Sequence, residues 1–158
     1  MAIQVGDKLP EATFKVMTAD GIQPFTTSDL CSGKKVVLFA VPGAFTPGCT
    51  VTHLPGFVVN ADKIKAKGVD SIICTAVNDA FVMDAWGKSQ NAEEIIMAAD
   101  GNGDFAKAVG LQLDLTGGGL GMRSQRYAMI VDDGKVTYLG IDSKEIEKSA
   151  ADAVMAKL

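Results

Sequence analysis

The stretch Val36–Cys49, with the sequence VVLFAVPGAFTPGC, decides the fold expected for this 158-residue chain. Its first six residues, Val36–Val41, are continuously apolar and rich in β-branched side chains, a pattern typical of a strand buried on both faces of a sheet. A loop with two prolines follows at Pro42–Gly48, and a helical stretch begins at about Thr50. A strand, a loop and a helix in this order predict one unit of an α/β fold.

The rest of the chain continues this alternation. Pro55 is expected to bend or interrupt the first long helix, because proline removes a donor and clashes one turn back. Asp133-Gly134 predicts a tight hairpin, since both residues tolerate positive φ angles. The predicted elements after the loop are helix Thr50–Lys67, strand Val69–Val77, helix Asp79–Ser89 capped by Asn78 or Asp79, strand Glu94–Ala99, helix Asp104–Val109, strands Arg126–Asp132 and Lys135–Ile141, and helix Ser143–Leu158 capped by Ser143. They predict a single domain, residues 1–158, with a mixed central sheet flanked by helices.

Composition excludes several classes of function. A net charge of -4 gives no basic stripe for nucleic acid, and the longest apolar run is too short to span a membrane. One histidine, His53, excludes histidine-rich metal sites, so no metal is expected. Three cysteines are too few for a secreted disulfide framework. The N-terminal residues lack the pattern of a secretory signal, so a cytoplasmic protein is expected, with an organelle open if a transit peptide has been removed.

Cys49 is the strongest candidate for chemistry. It stands where a loop leaves a buried strand and enters a helix, and the first N–H groups of a helix, with the positive end of its dipole, stabilise a thiolate. Thr46 lies three residues earlier, so its hydroxyl can turn toward the sulfur, while Pro42 and Pro47 stiffen the loop. The alternative is that Cys49 is a small buried apolar residue at a helix start.

The spacing P-x-x-x-T-x-x-C resembles the signature of the peroxiredoxins, and PGAFTPGC followed by THLPGF resembles the type II branch, also called the peroxiredoxin-five branch. The resemblance implies a thioredoxin-like fold with the reactive cysteine at a helix start. Gly48 is a departure, because the family usually has Thr or a similar larger residue there. The segments that carry the resemblance are Pro42–Cys49, Thr52–Phe57, Val77–Trp86, Asp100–Gly110 and Gly119–Val136.

The resemblance implies a role for four residues. Cys49 would attack peroxide, Thr46 would supply a hydroxyl partner, Pro42 would shield the site and Arg126 would supply positive charge. Arg123 is the better candidate for an ordinary surface arginine, although the residues alone do not separate the two. The reaction would give a sulfenic acid and water or an alcohol, with no metal, flavin or haem.

Ionisation alone cannot account for fast peroxide reduction. A thiol with an ordinary pKa of about 8.5 is already roughly 7% ionised at pH 7.4, so complete ionisation gains only about tenfold. Nucleophilicity also falls as the pKa falls. Arg126 and Thr46 are therefore expected to stabilise the charge that develops on the leaving oxygen in the transition state.

The sequence indicates the electron donor less directly than it indicates the nucleophile. Cys74 lies in the predicted strand Val69–Val77 and is either a packing residue or, as the resemblance implies for some members, a resolving cysteine. Because a buried Cys74 could reach Cys49 only after local unfolding, glutathione with glutaredoxin is the expected donor, and thioredoxin is the alternative. Cys31 is expected to be incidental, and His53 to support the site rather than form a Cys-His pair.

Three apolar residues, Phe45, Phe81 and Leu120, are predicted to line the active-site mouth and to admit alkyl hydroperoxides as well as hydrogen peroxide. The resemblance also implies a homodimer packed through loops near that mouth. Two other readings stay open. A thiol-disulfide oxidoreductase on the same fold is disfavoured because the chain has no C-x-x-C motif, and a non-catalytic binding module would leave Cys49 unreactive.

Overall fold

The computed structural model describes residues 2–158, and most of its strands form one seven-stranded sheet. In order across that sheet the strands are β2 (Gly21–Thr26), β1 (Thr13–Thr18), β5 (Ile95–Ala99), β4 (Ser71–Ala76), β3 (Lys35–Ala40), β8 (Arg126–Asp132) and β9 (Lys135–Asp142). The three strands β3, β4 and β5 are parallel, and the other neighbouring pairs are antiparallel. The predicted mixed sheet is confirmed.

Helices cover both faces of this sheet. They are α1 (Thr27–Cys31), α2 (Leu54–Ala66), α3 (Ala80–Ser89), α4 (Asp104–Ala108) and α5 (Ala151–Met155), together with a π-helical turn at Cys49–His53 and a short 3-10 turn at Thr116–Gly118. Strands β6 (Gln112–Leu115) and β7 (Gly121–Ser124) form a separate two-stranded sheet. No helix within residues 2–158 is long and apolar enough to cross a membrane.

Strand β3 lies between two hydrophobic layers, as its sequence predicts. Val37 and Phe39 pack into the layer that contains α2, α3 and α5, whereas Val36 and Leu38 pack into the layer that contains α1 and α4. This division follows from the alternation of side chains along a strand. The strand therefore ends in the middle of the molecule, and the loop after it opens between buried elements.

The N-terminal hairpin β1–β2 and the small sheet β6–β7 are absent from the sequence prediction. In β2, which lies at the edge of the sheet, Pro24 interrupts an otherwise weakly apolar run, and proline is tolerated at an edge because it cannot donate to a ladder. Asp20-Gly21 provides the turn signal, and Gly21 has the positive φ of +96° that this turn needs.

The predicted C-terminal helix at Ser143–Leu158 is wrong over its first half. Only Ala151–Met155 is helical, and residues 143–149 form an irregular segment. The carboxylate of Asp142 accepts N–H groups of Glu147 and Ser149, so it replaces the partners that a helix would provide. The chain turns back over the sheet here.

The predicted interruption at Pro55 lies in the first turn of α2, where a missing N–H costs little. The turn before it, Cys49–His53, is π-helical, and the Leu54 N–H donates to the Cys49 carbonyl five residues back. Because Pro55 has no N–H, it cannot extend a regular α-helical bonding pattern back over this turn. The sequence Thr50–Lys67 therefore contains two kinds of helix.

Candidate active site

The thiol of Cys49 is buried at the first residue of the π-helical turn. Cys49 follows the loop that leaves β3, and none of its surface is exposed. It belongs to the hydrophobic layer that contains Phe39 from β3 and Phe57 from α2. A charge that forms on this sulfur therefore lies in a water-poor environment, where nearby dipoles and charges act more strongly than in water.

Arg126, the first residue of β8, brings positive charge to the sulfur. Its Nη2 donates to Sγ of Cys49 at 3.2 Å, and its Nη1 lies 2.9 Å from Nδ1 of His53. The residue is only 9% exposed. The tertiary structure thus brings the guanidinium of Arg126, and not that of Arg123, to the sulfur of Cys49.

His53 forms a hydrogen bond with Nη1, the other terminal nitrogen of Arg126. Its Nε2 lies 2.8 Å from the carbonyl oxygen of Ser149, which can only accept, so Nε2 carries the proton and Nδ1 accepts from Arg126. Burial lowers the pKa of His53 to about 4; the Ser149 carbonyl opposes this shift and the charge of Arg126 adds to it. His53 is therefore neutral at pH 7, and its Nδ1 accepts a hydrogen bond from the arginine.

The loop before Cys49 is closely packed. Thr46 Oγ1 donates to the Gly43 carbonyl at 2.7 Å, so in this state its proton is directed at the loop rather than at the sulfur. A Cβ on Gly43 would lie 2.9 Å from Nη1 of Arg123 and 3.1 Å from Cγ2 of Thr46. The Ala44 N–H donates to Oδ1 of Asn78 at 2.9 Å. The Asn78 side chain is engaged in this bond. Of the two predicted N-cap residues of α3, it is therefore Asp79 whose side chain caps the helix.

Phe45 occupies an unusual backbone conformation in this loop. Its φ is +63°, in the left-handed region that bulky residues rarely adopt, and its side chain is 54% exposed. Such a residue costs on the order of 1–3 kcal/mol, and it persists where the surroundings fix the chain on either side. Here the bonds of Ala44 and Thr46 fix the two neighbouring residues.

Arg123 has a role that sequence reasoning missed. Its Nη1 donates to the Pro42 carbonyl at 3.3 Å and its Nε donates to the Leu120 carbonyl at 2.9 Å. The side chain is half-buried and joins the Cys49 loop to the loop before β7. The sequence shows only that Arg123 stands three residues before Arg126. It does not show that the Arg123 side chain faces the loop of Pro42.

Gly48, the departure from the usual family pattern, lies beside the arginine. It is exposed, and a Cβ there would lie 3.3 Å from Nη2 of Arg126 and 3.9 Å from Cδ1 of Ile146. Its backbone is right-handed helical, so the glycine is not required for conformation. Its absent side chain leaves the guanidinium less covered on this side.

The three predicted mouth residues are all exposed, but they do not all line one cleft. Phe81 borders a cleft of about 450 Å³ between the β1–β2 hairpin and the start of α3, and the described residues lining it include neither Phe45 nor Leu120. Phe45 lies in the Cys49 loop itself. Leu120 is linked to that loop through Arg123, which donates hydrogen bonds to the carbonyls of both Leu120 and Pro42. The structure therefore brings Leu120 and the Phe45 loop together and places Phe81 at a separate cleft.

None of the three cysteines is joined in a disulfide. Cys74 lies in β4 between Phe39 and Met97, is fully buried, and faces the same layer as Cys49. Desolvation by burial raises the pKa of its thiol well above the usual value. Cys31 packs in the opposite layer, and desolvation raises its pKa to about 11. Within residues 2–158 no group of three or more histidine, cysteine or carboxylate residues is placed to hold a metal.

Comparison with known proteins identifies the class of protein that this fold and site define. The Redoxin family model matches residues 4–155. The chain is 46% identical over 159 residues to Peroxiredoxin-2B of Arabidopsis thaliana, covering 99% of this chain and 98% of that protein. It therefore belongs to the redoxin family.

Solved structures narrow the class further. Reduced Prx3 from Vibrio vulnificus, solved in complex with hydrogen peroxide, is 54% identical, has a TM-score of 0.95 and covers 98% of both chains. Peroxiredoxin 5 from Alvinella pompejana is 36% identical with a TM-score of 0.86, covering 98% of this chain and 96% of that one. The chain is thus a type II peroxiredoxin with a thioredoxin-like fold, a thiol peroxidase that reduces peroxides, as its sequence predicts.

Proposed function

We propose that Cys49 is the nucleophile of this peroxidase and that Arg126 is its cationic partner. The observation that carries this proposal is the 3.2 Å contact from Nη2 of Arg126 to the buried Sγ of Cys49. Pro42 shields the sulfur, and Thr46 supplies the hydroxyl of the site after a rotation away from Gly43. Arginine suits the role because its planar guanidinium keeps its charge and offers several donors in fixed directions.

The proposed step is a displacement on oxygen. The Cys49 thiolate attacks the peroxide oxygen that carries a hydrogen, an S–O bond forms and the O–O bond breaks. The sulfur is oxidised to a sulfenic acid, and the leaving oxygen takes a proton to give water or an alcohol. Arg126 stabilises the negative charge on the sulfur before the reaction and on the leaving oxygen during it, where a prepositioned donor in a dry site is most effective.

The proposed substrates are hydrogen peroxide and alkyl hydroperoxides. Leu120 and Phe45 are exposed apolar residues on the two loops that Arg123 joins, so an alkyl group has apolar surface near the thiol. Gly48 leaves room beside the guanidinium. Phe81 would contribute only if the loops move, because it borders the separate cleft.

The proposed reductant is an external thiol, glutathione followed by glutaredoxin, with thioredoxin as the alternative donor. Cys74 is a poor resolving thiol in this conformation because it is fully buried in the central sheet and its pKa is raised. Cys31 lies in the opposite hydrophobic layer, with the sheet between it and Cys49. Resolution by Cys74 after local unfolding of the turn at Cys49–His53 is the competing route.

The proposed assembly is a homodimer formed through the loops near Cys49. Phe45, Leu120 and Met122 are large apolar residues that remain exposed on or beside these loops. Sedimentation at micromolar concentration should give twice the monomer mass, and Leu120→Ser should weaken the dimer. A monomer at high concentration would contradict the assembly without affecting the peroxidase.

The proposed unit is a single domain in the cytoplasm. Both hydrophobic layers share the seven-stranded sheet, which favours one cooperative unit over residues 1–158. An organelle is the alternative location, because the relative Peroxiredoxin-2E of Arabidopsis thaliana, 47% identical over 146 residues, is named as chloroplastic. A single unfolding transition would support the first proposal, and fractionation of the source cells would test the second.

The test of the nucleophile is Cys49→Ser. Serine is nearly isosteric but far less nucleophilic at neutral pH, so peroxide consumption should be abolished while the circular dichroism spectrum stays the same. Wild-type protein should lose one thiol per chain to stoichiometric hydrogen peroxide. Turnover of Cys49→Ser within a few fold of wild type would overturn the assignment.

A further inference from the structure

We propose that Asp142 is a positioning residue for Arg126 and acts through the Ser149 carbonyl and the His53 imidazole. Asp142 ends β9 and touches neither Cys49 nor Arg126 through a hydrogen bond in the described structure. This inference rests on the roles proposed for those two residues. It connects the Ser149 carbonyl, at the end of the irregular segment between β9 and α5, to the proposed site through His53.

The first link is a carboxylate that holds a loop. Oδ2 of Asp142 accepts the N–H of Ser149 at 2.8 Å, the hydroxyl of Ser149 at 2.7 Å and the N–H of Glu147 at 2.9 Å. Oδ1 accepts the N–H of Lys148 at 3.2 Å. Four donors on one side chain fix the backbone of a segment that has no regular secondary structure, and they leave Ser149 fully buried.

The segment is also held from the neighbouring strand. The hydroxyl of Tyr138 donates to the Lys148 carbonyl at 2.6 Å. A Cβ on Gly140 would collide with this carbonyl, so the segment lies directly against the backbone of β9 at a glycine. The Lys148–Ser149 peptide group, which immediately precedes the Ser149 carbonyl, is thus fixed by side-chain bonds from one direction and by close packing from another.

The second link is the choice of His53 tautomer. The Ser149 carbonyl accepts from Nε2 at 2.8 Å, so the proton lies there and Nδ1 presents a lone pair to Nη1 of Arg126 at 2.9 Å. In the other tautomer an N–H would face the N–H of the guanidinium, and two donors would oppose each other. The carbonyl therefore decides whether His53 attracts or repels the arginine.

The third link is the rigidity of the guanidinium. Its nitrogens lie in one plane at fixed angles, so a bond that holds Nη1 also sets the direction of Nη2. Nη2 is the nitrogen that donates to Cys49. If the Ser149 carbonyl moves, His53 loses its preferred tautomer and Arg126 loses the bond that aims Nη2 at the sulfur.

The test compares Asp142→Asn with the matched control Glu147→Gln. Both replace a carboxylate by an amide, Asp142 at the end of β9 and Glu147 in the segment that follows, but the control leaves the Glu147 backbone N–H and the Asp142 carboxylate in place. The second-order rate of Cys49 oxidation by hydrogen peroxide is measured where thiolate absorbance shows complete ionisation. Asp142→Asn should slow oxidation on the order of tenfold, because small misplacements of a catalytic group cost factors of this size or more. Glu147→Gln should oxidise at the wild-type rate.

A spectroscopic readout separates positioning from a purely structural role. His53 is the single histidine of the chain, so the imidazole ¹⁵N spectrum of untagged protein reports this ring alone. Wild type and Glu147→Gln should show the tautomer protonated at Nε2, and Asp142→Asn should show a mixture. A folded Asp142→Asn with the wild-type tautomer or the wild-type oxidation rate would overturn the proposal.

Two further variants complete the test. Ser149→Ala removes one of the four donors on Asp142, so it should fold even if Asp142→Asn does not, and it should shift the tautomer and the rate by a smaller amount in the same direction. Wild-type values for Ser149→Ala, with Asp142→Asn unfolded, would overturn the inference. Arg126→Ala distinguishes a failure of the role proposed for Arg126 from a failure of the positioning role proposed for Asp142. If it slows oxidation and Asp142→Asn does not, only this inference is wrong; if Arg126→Ala oxidises at the wild-type rate, the proposed role of Arg126 fails and the inference fails with it.

Discussion

Nη2 of Arg126 lies 3.2 Å from Sγ of Cys49, although 77 residues separate them along the chain. The contact joins the start of β8 to the turn that follows the loop after β3, and those two strands are antiparallel neighbours in the sheet. Ala40 at the end of β3 pairs with Tyr127, the residue next to Arg126. The register between β3 and β8 therefore places the guanidinium of Arg126 beside the thiol of Cys49.

This contact predicts a large effect of Arg126→Ala on the chemical step. The variant should slow Cys49 oxidation on the order of 100-fold, more than the roughly tenfold that ionisation can supply, because it removes a prepositioned donor from a buried site. Stopped-flow rates above the pH at which thiolate absorbance is complete provide the measurement. Arg126→Lys, which keeps charge without the fork, should be intermediate. If Arg126→Ala reaches the wild-type rate at high pH, the arginine affects only ionisation.

Thr46→Val tests the hydroxyl of the loop. Valine keeps the shape but removes the 2.7 Å bond to the Gly43 carbonyl, so the loop that covers the thiol should loosen and the transition state should lose a donor. Oxidation should slow by roughly two- to tenfold, the range expected for one hydrogen bond. Thr52→Val, on an exposed part of the π-helical turn, is the control and should have the wild-type rate. Equal rates for the two variants would remove Thr46 from the proposed site.

The buried His53 predicts a pH dependence of stability. Burial lowers its pKa from the ordinary 6.5 to about 4, against the opposing Ser149 carbonyl and with a contribution from Arg126. The unfolded chain therefore binds a proton that the folded chain excludes, and stability falls as the pH falls from about 6.5 to about 4. The loss should be about 3 kcal/mol in this window.

Denaturant unfolding at several pH values measures this loss, and His53→Gln is the comparison because glutamine has no proton to gain there. Carboxylates that titrate at lower pH, among them Asp142, affect both proteins alike. The difference between the two curves should appear below about pH 6.5 and level off near pH 4. Parallel curves would mean that His53 is not held neutral by the fold.

The reductant is tested by replacing the two other cysteines. Cys74→Ser and Cys31→Ser should keep full turnover with glutathione plus glutaredoxin, because both thiols are buried away from solvent and their pKa values are raised. Cys31→Ser is the control, since Cys31 lies in the other hydrophobic layer. Peroxide consumption with each donor is the measurement. If Cys74→Ser is inactive with every donor and wild type forms a Cys49–Cys74 disulfide, resolution is internal.

The sequence alone determined much of the central architecture. The apolar run Val36–Val41 predicted a strand buried on both faces, because six consecutive apolar residues leave no polar face for solvent, and the structure places Lys35–Ala40 in the interior of the sheet, between β4 and β8. The Asp133-Gly134 hairpin was predicted for a similarly local reason, since few residues adopt positive φ without strain. The family resemblance came from the spacing of Pro42, Thr46 and Cys49 in one loop.

Other features depend on hydrogen bonds and strand register that the periodicity of the sequence does not reveal. Asp142 replaces the first turns of the predicted C-terminal helix by bonding N–H groups that follow it, a competition decided by where the sheet holds its carboxylate. The choice between Arg123 and Arg126 also needed the fold, because strand register aims one at the sulfur and the other at Pro42. The periodicity of the sequence determines which residues are buried. The direction of the Arg126 guanidinium and the tautomer of His53 depend instead on atoms that only the tertiary structure brings within hydrogen-bond distance.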